Sequence, residues 1–198
     1  MLISGSRHFA SLLPPSVSAR QDSLIVDCTT VPRFGLRGPG GCEWLVSQGF
    51  DVPETVNRAT LDENGVLALR LGRNEAVISG LQWGGHPLCE IGRRWSAAQG
   101  PKGYDGFRHD GWGHILVSGP EAPAFMTEIA EIDFRPAHMT TGCIAQTRAL
   151  HLDVIIVRTD RFGTFGYELF LDIASMTYAV EVMTRLAAGY TFLALAEA

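Results

Sequence analysis

The chain has 198 residues, 46% of them hydrophobic and 19% charged, which suffices for one compact domain, or two small interlocked layers, around a substantial core. Its formal net charge of -5 at pH 7 excludes a broad electrostatic attraction to nucleic acid or to anionic lipid. The opening "HFASLLPP" has neither a long apolar run nor a cleavage pattern, and no later stretch approaches ~18 uninterrupted apolar residues. The expectation is a cytoplasmic protein with no nucleic-acid or membrane partner.

Residues 1–23 read as an arm of little regular order, broken by Pro14 and Pro15, ahead of a domain over 24–198. "LIVDC" is a short strand, and "RFGLRG" is a second, stopped by Gly38, Pro39, Gly40 and Gly41. "CEWLVSQG" then predicts a short helix with Trp44 and Leu45 inward and Gly49 as its terminator. "GVLALRLG" and "EAVISGL" are two strands joined near Gly72 to Asn74 as in a hairpin. A connection over 82–113 follows, rich in glycine, tryptophan and charge and longer than most. "HILVSG" restores a strand, and "GPEAPAFMTEIAEID" supplies a helix started by Pro120, with Phe125, Met126 and Ile129 as its apolar stripe. "CIAQTRALHLDVIIVRTD" gives two more strands, and "ASMTYAVEVMTRLAAG" a last helix ending near Gly189. The expected fold is a single α+β domain, with a mixed or antiparallel sheet and packed helices near 41–48, 120–131 and 174–187.

Two segments echo each other. "RFGLRGPGGCEWLVSQGFDV" and "HILVSGPEAPAFMTEIAEIDF" each run strand, Gly-Pro, small residues, helix and an aspartate-containing exit. They predict two related strand–helix units packed side by side around a shared sheet.

Signals for chemistry are sparse. Pro39 removes a backbone donor from "GLRGPGG", the only glycine-rich turn resembling a nucleotide fingerprint, and no "GKS" or "GKT" occurs. No serine lies in a "G-x-S-x-G" elbow. Cys28, Cys42, Cys89 and Cys143 form no C-x-x-C pair, so reduced and mostly buried thiols are the simplest account. "YDGFRHDGWGH" gathers Asp105, Arg108, His109, Asp110 and His114. These residue types bind metals or pair as acid and base, but the spacing fits a solvated loop or a subunit contact better. His151 and Asp153 share a face of one strand, as a catalytic pair or as two solvated polar residues.

In "RTDRFGTFGYELFL", residues 158–171, a strand, a turn punctuated by Gly163 and Gly166, and a second strand follow one another. Tyr167, Leu169 and Leu171 point to one side of the second strand, and Glu168, Phe170 and Asp172 to the other. Hairpins use such turns for structural reasons more often than for ligands.

The stretch from Val26 to Ile78 resembles the opening of the gamma subunit of heterotetrameric sarcosine oxidase. It does so through Arg33-Phe34-Gly35, Gly38, the helix at Trp44-Leu45, Gly49, Pro53, Asn57, Arg70-Leu71-Gly72 and Glu75. "LVSGPEAPAFMTEIAEIDF", "GCIAQTRALHLDVIIVRT" and "YELFLDIASMTYAVEVM" are similar to that family too, and to the first, folate-binding domain of the glycine-cleavage aminomethyltransferases. The resemblance covers most of 24–187. Folate-using relatives carry a turn of the form "RTGYTGE.GYE", whose first glutamate meets the folate. Arg158, Thr159, Gly163, Gly166, Tyr167 and Glu168 follow that form, but Thr164 stands where the glutamate would be, without its charge or its two acceptor oxygens. The catalytic aspartate region has no counterpart.

The resemblance therefore implies a retained shape without retained folate chemistry. It points to a non-catalytic structural subunit of a complex that oxidatively demethylates sarcosine or a related N-methyl amine. No catalytic residue, metal or cofactor is implied on this chain. FAD, FMN, NAD and tetrahydrofolate are implied on its partners, larger flavoprotein alpha and beta subunits beside a small delta subunit. Alternatives are a free-standing folate-binding aminomethyltransferase-like protein, with Arg161, Tyr167 and Glu168 as folate-site candidates, and a non-enzymatic adaptor or ligand-binding module. Within the 82–113 connection, Trp83, Arg93, Arg94, Trp95 and Trp112 are the candidates for a subunit interface, because tryptophan brings rigid apolar area and arginine directional hydrogen bonds.

Overall fold

A computed structural model describes residues 13–18, 20–83, 86–98, 103–106 and 108–195, and the backbone alone of Trp83. Most of the N-terminal arm, and Gly84, Gly85 and Gly100 of the long connection, lie outside the described residues.

The first half of the chain runs β1 (Leu24–Asp27), β2 (Arg33–Arg37), α1 (Gly41–Ser47), β3 (Arg58–Leu61), β4 (Leu67–Gly72), β5 (Glu75–Ser79) and, after a two-stranded ribbon of β6 (Gln82–Trp83) and β7 (His86–Pro87), α2 (Ile91–Ala97). The second runs β8 (Tyr104–Asp105), a short α3 (Arg108–Gly111), β9 (Trp112–Ser118), α4 (Ala122–Ile129), β10 (Ile144–Ala149), β11 (Leu152–Arg158), β12 (Gly166–Asp172) and α5 (Met176–Leu186), with β13 (Thr191–Ala194) at the end. This is an α+β fold. One sheet has the order β10-β11-β12-β9-β1-β13 and the other β3-β4-β5-β2-β8. Among the described residues every pairing in these two sheets is antiparallel except that of β1 with β13.

The period-2 pattern of the strands assigns their faces. Ile25, Ile115, Val117, Val154, Ile156, Tyr167, Leu169 and Leu171 turn outward to Phe125 and Met126 of α4 and to Ala179 and Met183 of α5. The alternate residues Val157 and Phe170 meet Leu67, Leu69, Leu71 and Val77 of the other sheet. On that sheet's far side Phe34, Leu36, Ala68 and Ile78 pack against Cys42 and Leu45 of α1 and Ile91 of α2. The molecule is thus helix, sheet, sheet, helix. Upstream of β1, Leu13 is buried with Leu24, Val26, Leu116 and Phe162, so packing begins before residue 24.

The sequence echo is a structural duplication, though its two units share no sheet. β2 and β9 lie in different sheets, and each is followed by Gly-Pro, a helix on the outer face, and a three-stranded meander. The reason is alternation: each unit has one face for its own helix and one for the other unit. Gly38 (φ 114°) and Gly119 (φ 128°) make the same turn, and Gly41 N and Ala122 N donate to their respective carbonyls at 3.3 and 3.1 Å. At Gly119 a Cβ would lie 2.7 Å from Ser23 Cα, so no side chain fits. The leading strands are exchanged: β1 pairs with β9, and β8 pairs with β2. The equivalent edge strands β3 and β10 meet at an isolated bridge, Arg58 to Cys143, which joins the sheets along one side.

Candidate functional site

The turn after β11 is organised by a side chain that the glycines conceal. Asp160 adopts φ 48°, and its carboxylate accepts from Gly166 N (3.1 Å), Arg158 Nε (3.0 Å), Arg158 Nη2 (2.8 Å) and Thr141 Oγ1 (2.9 Å). Aspartate tolerates the left-handed region better than most residues, and here it stands where the folate-using form has its first glycine. Gly163 (φ 71°) closes the turn by donating to Asp160 O at 2.8 Å. Thr164 is half-buried beside an open dip of about 480 Å3 that includes Pro120, Asp160 and Phe165.

The turn delivers Arg161 and Glu168 into the space between the sheets. Arg161 Nε and Nη2 donate to Glu168 Oε1 and Oε2 at 2.9 and 3.2 Å, and Arg161 Nη1 donates to Gly65 O at 2.9 Å. On its other side Glu168 Oε2 meets His114 Nε2 at 2.9 Å. Glu168 and His114 are fully buried and Arg161 nearly so. Burial alone would raise the Glu168 pKa; the Arg161 guanidinium and the His114 hydrogen bond outweigh it and hold the carboxyl well below its ordinary value. Burial lowers the His114 pKa against the pull of Glu168, so the ring is neutral at neutral pH and donates from Nε2. Its Nδ1 is buried without a hydrogen-bond partner among the described residues, and the ring stacks on Phe170 with centroids 4.4 Å apart. Cys28 shares this interior, and burial, then the Glu168 charge, raises its pKa and keeps it a thiol.

Tyr167 takes the opposite face of β12. Its hydroxyl donates to Phe134 O at 3.0 Å and its ring meets Phe134 edge-on, while burial raises its pKa to about 12. The structure brings Arg161 and Glu168 together and separates Tyr167 from them. All three folate-site candidates are engaged in internal bonds.

The "YDGFRHDGWGH" cluster is dispersed. Arg108 pairs with Glu75 and lies over the Trp112 ring at 4.2 Å; His109 and Asp110 are exposed, and His114 is interior. Among the described residues no group of three or more His, Cys, Asp or Glu is placed to hold a metal ion. His151 and Asp153 lie in and just after the β10–β11 turn, both exposed, with Asp153 4.0 Å from Arg148. Of the four free thiols, Cys28 and Cys42 are buried, Cys143 is half-buried and Cys89 is exposed. In the connection, Trp95 and Trp112 are half-buried on their own domain, against Trp44 (5.0 Å) and Phe170 (5.9 Å), while Arg93 and Arg94 are exposed. The side chain of Trp83 lies outside the described residues.

Two further polar side chains, His114 and Arg33, are buried in roles that no local pattern announces. His114 shares its alternate face of β9 with Leu116 and Ser118. Arg33 donates to six carbonyls at 2.8 to 3.5 Å, those of Cys28, Thr29, Val31, Arg108, His109 and Trp112, and so clasps α3 to the loop after β1. Burial lowers its pKa to about 10, which leaves it cationic. A hollow of about 760 Å3 lies beside this clasp, floored by Ile155 and Phe170 and edged by Arg108, Trp112, Gln146 and Arg148.

Two exchanged strand–helix–meander units around a double sheet define the architecture of the aminomethyltransferase type. No protein-family model and no curated protein sequence matches the chain. Among solved structures, a chain of heterotetrameric sarcosine oxidase from Corynebacterium sp. U-96, determined in complex with pyrrole 2-carboxylate, superposes with a TM-score of 0.66 at 16% identity, over 92% of this chain and 93% of that one. The glycine cleavage system aminomethyltransferase T from Bartonella henselae superposes with a TM-score of 0.62 at 13% identity, over 96% of this chain but 50% of that one. This chain therefore spans half the length of the aminomethyltransferase and nearly all of the oxidase chain. At these identities what is shared is the fold. No helix among the described residues is long and apolar enough to cross a membrane.

Proposed function

We propose that this chain is a non-catalytic structural subunit of a heterotetrameric oxidase that demethylates sarcosine or a related N-methyl amine. The observation that carries the reading is the end-to-end correspondence with one chain of such an oxidase, beside a correspondence with only half of an aminomethyltransferase. The site supports it. Arg161, where the folate-using turn has tyrosine, neutralises Glu168 from within, and Thr164 offers no carboxylate to a pterin. FAD, FMN, NAD and tetrahydrofolate belong, on this reading, to the larger alpha and beta flavoprotein subunits, with a small delta subunit completing the cytoplasmic assembly.

The test is co-expression with the large flavoprotein subunits from the same genome, followed by size-exclusion chromatography and a sarcosine-dependent dye-reduction assay. The expected result is a complex that contains this chain and turns over N-methyl amine, while the isolated chain shows neither flavin absorbance nor turnover. A chain that stays separate from those subunits, binds tetrahydrofolate tightly and transfers aminomethyl groups would overturn the proposal.

A further inference from the structure

A groove of about 460 Å3 opens on the helical layer outside the six-stranded sheet, between the exit of α4 and the side of α5. Tyr178, Val182 and Leu186 line it at four-residue intervals, so they form one ridge of α5 about 12 Å long. The neighbouring ridge, Ala179 and Met183, is packed into the core, whereas Tyr178 and Leu186 are 44% and 46% exposed. Buried Ile129 and Leu150 lie at the base of the groove, and Glu128 and Glu131 line it from the α4 side.

Local preference is broken three times around this groove. The exposed apolar ridge is the first. Second, Glu128 lies in the last turn of α4 and Glu131 just beyond it, where the helix dipole disfavours anions, and that turn holds no basic residue. Third, Leu150 and His151 turn the chain from β10 to β11 with φ 54° and 63°, a left-handed pair without glycine, asparagine or aspartate. Core packing and a 2.8 Å bond from its N–H to Ile129 O account for Leu150, but His151 is exposed and gains no burial in return. Such departures gather where a surface serves a partner. The charge they leave is negative. Besides His151, the charged lining is Glu128, Glu131 and Arg148. Arg148 is already engaged, donating to His151 O at 2.8 Å and lying 4.0 Å from Asp153, and on α5 Glu181 and Arg185 pair with each other. Glu128 and Glu131 have no ion-pair partner among the described residues.

We infer that this groove seats a helix of a larger subunit of the complex, apolar where it meets the Tyr178–Val182–Leu186 ridge and basic beside Glu128 and Glu131. The groove offers side-chain ridges and no strand edge, which suits a helix better than an extended segment. Lysine or arginine on that helix supplies the cations that the end of α4 lacks. The inference rests on the oxidase-subunit reading and adds to it where the contact lies and what the partner presents. A second copy of this chain docked through the same groove would bring two acidic rims together, which fits less well. The opposite helical layer exposes Val46 on α1 and Arg93 on α2 and provides the control surface.

The experiment compares four versions of the full chain, each co-expressed with the flavoprotein subunits: wild type, E128K/E131K, Y178S/L186S, and the control V46E/R93E. Wild-type affinity should fall as salt rises. Alone, E128K/E131K should melt no lower than wild type, because it places cations at a helix C-terminus, yet it should bind roughly tenfold or more weakly. Y178S/L186S should also bind roughly tenfold or more weakly, and V46E/R93E should assemble normally. Should E128K/E131K melt lower, E128Q/E131Q removes the charges without adding any and is judged by the same loss of affinity. Normal assembly of the Glu128 and Glu131 variants, or loss of assembly only in V46E/R93E, overturns this inference and leaves the oxidase reading standing. Failure of the wild type to assemble overturns both. A wild-type homodimer that the groove variants convert to monomer would assign the groove to self-association and overturn the basic-helix inference.

Discussion

Replacing Glu168 by leucine should be among the most damaging single changes in the chain. The side chain is fully buried and holds Arg161 through two hydrogen bonds of 2.9 and 3.2 Å, and His114 through one of 2.9 Å. Without it the guanidinium remains between the sheets with its bond to Gly65 O but without the carboxylate that holds two of its nitrogens. Removing one partner of a buried ion pair costs about 3–5 kcal/mol, a large part of the roughly 5–15 kcal/mol that holds a domain together. Arg161→Met is expected to cost less, because the stranded carboxyl can take up a proton. The double variant R161M/E168L removes both charges and leaves Gly65 O and His114 Nε2 as the unpaired polar atoms, at about 1–3 kcal/mol each. Urea unfolding followed by circular dichroism should therefore show the double variant less damaged than the sum of the singles, with a coupling of at least about 2 kcal/mol. If E168L fails to fold, E168Q keeps one acceptor for Arg161 and makes the same comparison measurable. Additive losses, or a loss below about 1 kcal/mol for E168L, would refute the view that this network is held together by its internal charges.

Acid should destabilise the protein in two steps. The folded state holds both His114 and Glu168 below their ordinary pKa values, so the unfolded chain binds protons first as pH falls. Stability should be complete at neutral pH and decline below pH ~6.5 by up to ~1.4 kcal/mol per pH unit, then again below pH ~4.3; His114→Gln should remove the first step from a pH series of melting temperatures. Leu150 and His151 form the β10–β11 turn with φ 54° and 63°, a left-handed pair suited to Asn-Gly. His151→Gly, at an exposed position, should add about 0.5–1 kcal/mol in chemical denaturation. Gly119→Ala should cost about 2 kcal/mol or more, because its Cβ would approach Ser23 Cα to 2.7 Å; an unchanged unfolding midpoint would show that the Gly-Pro turn can relax.

Alternating hydrophobicity made the long strands legible. β4, β5, β9, β11 and β12 fall within the segments "GVLALRLG", "EAVISGL", "HILVSG", "HLDVIIVRTD" and "YELFLDI", apart from the first residues of β9 and β12. The helices at 41–47, 122–129 and 176–186 were legible from their glycine and proline boundaries. The strands at 58–61, 104–105 and 191–194 were not, because each is short and set by its neighbour: Thr191 to Ala194 pair in parallel with β1. The helix at 91–97 was hidden in a connection whose tryptophans and arginines carry no clear period. Period-2 alternation says that a strand has two faces, but not which layer covers each, so one sheet was expected where two are stacked. The same gap explains the site. Glu168 was placed on the face opposite Tyr167, but nothing local indicates that His114, on another strand, lies on the same interior face within hydrogen-bond reach.

The exchange of leading strands also governs how the chain reaches its structure. Leu24 in β1 lies opposite Ser118 in β9, roughly ninety residues later, so β1 waits for the second half of the molecule before it gains a neighbour among the described strands. The five-stranded sheet waits as well, since β8 closes the free edge of β2. Neither unit completes its sheet alone, and a fragment ending before β9 would expose an unpaired, apolar "LIVD" edge of the kind that recruits other chains. Contacts of such long range slow folding and make the two halves succeed or fail together. Truncations near residue 100 should therefore yield aggregates, not half-sized domains.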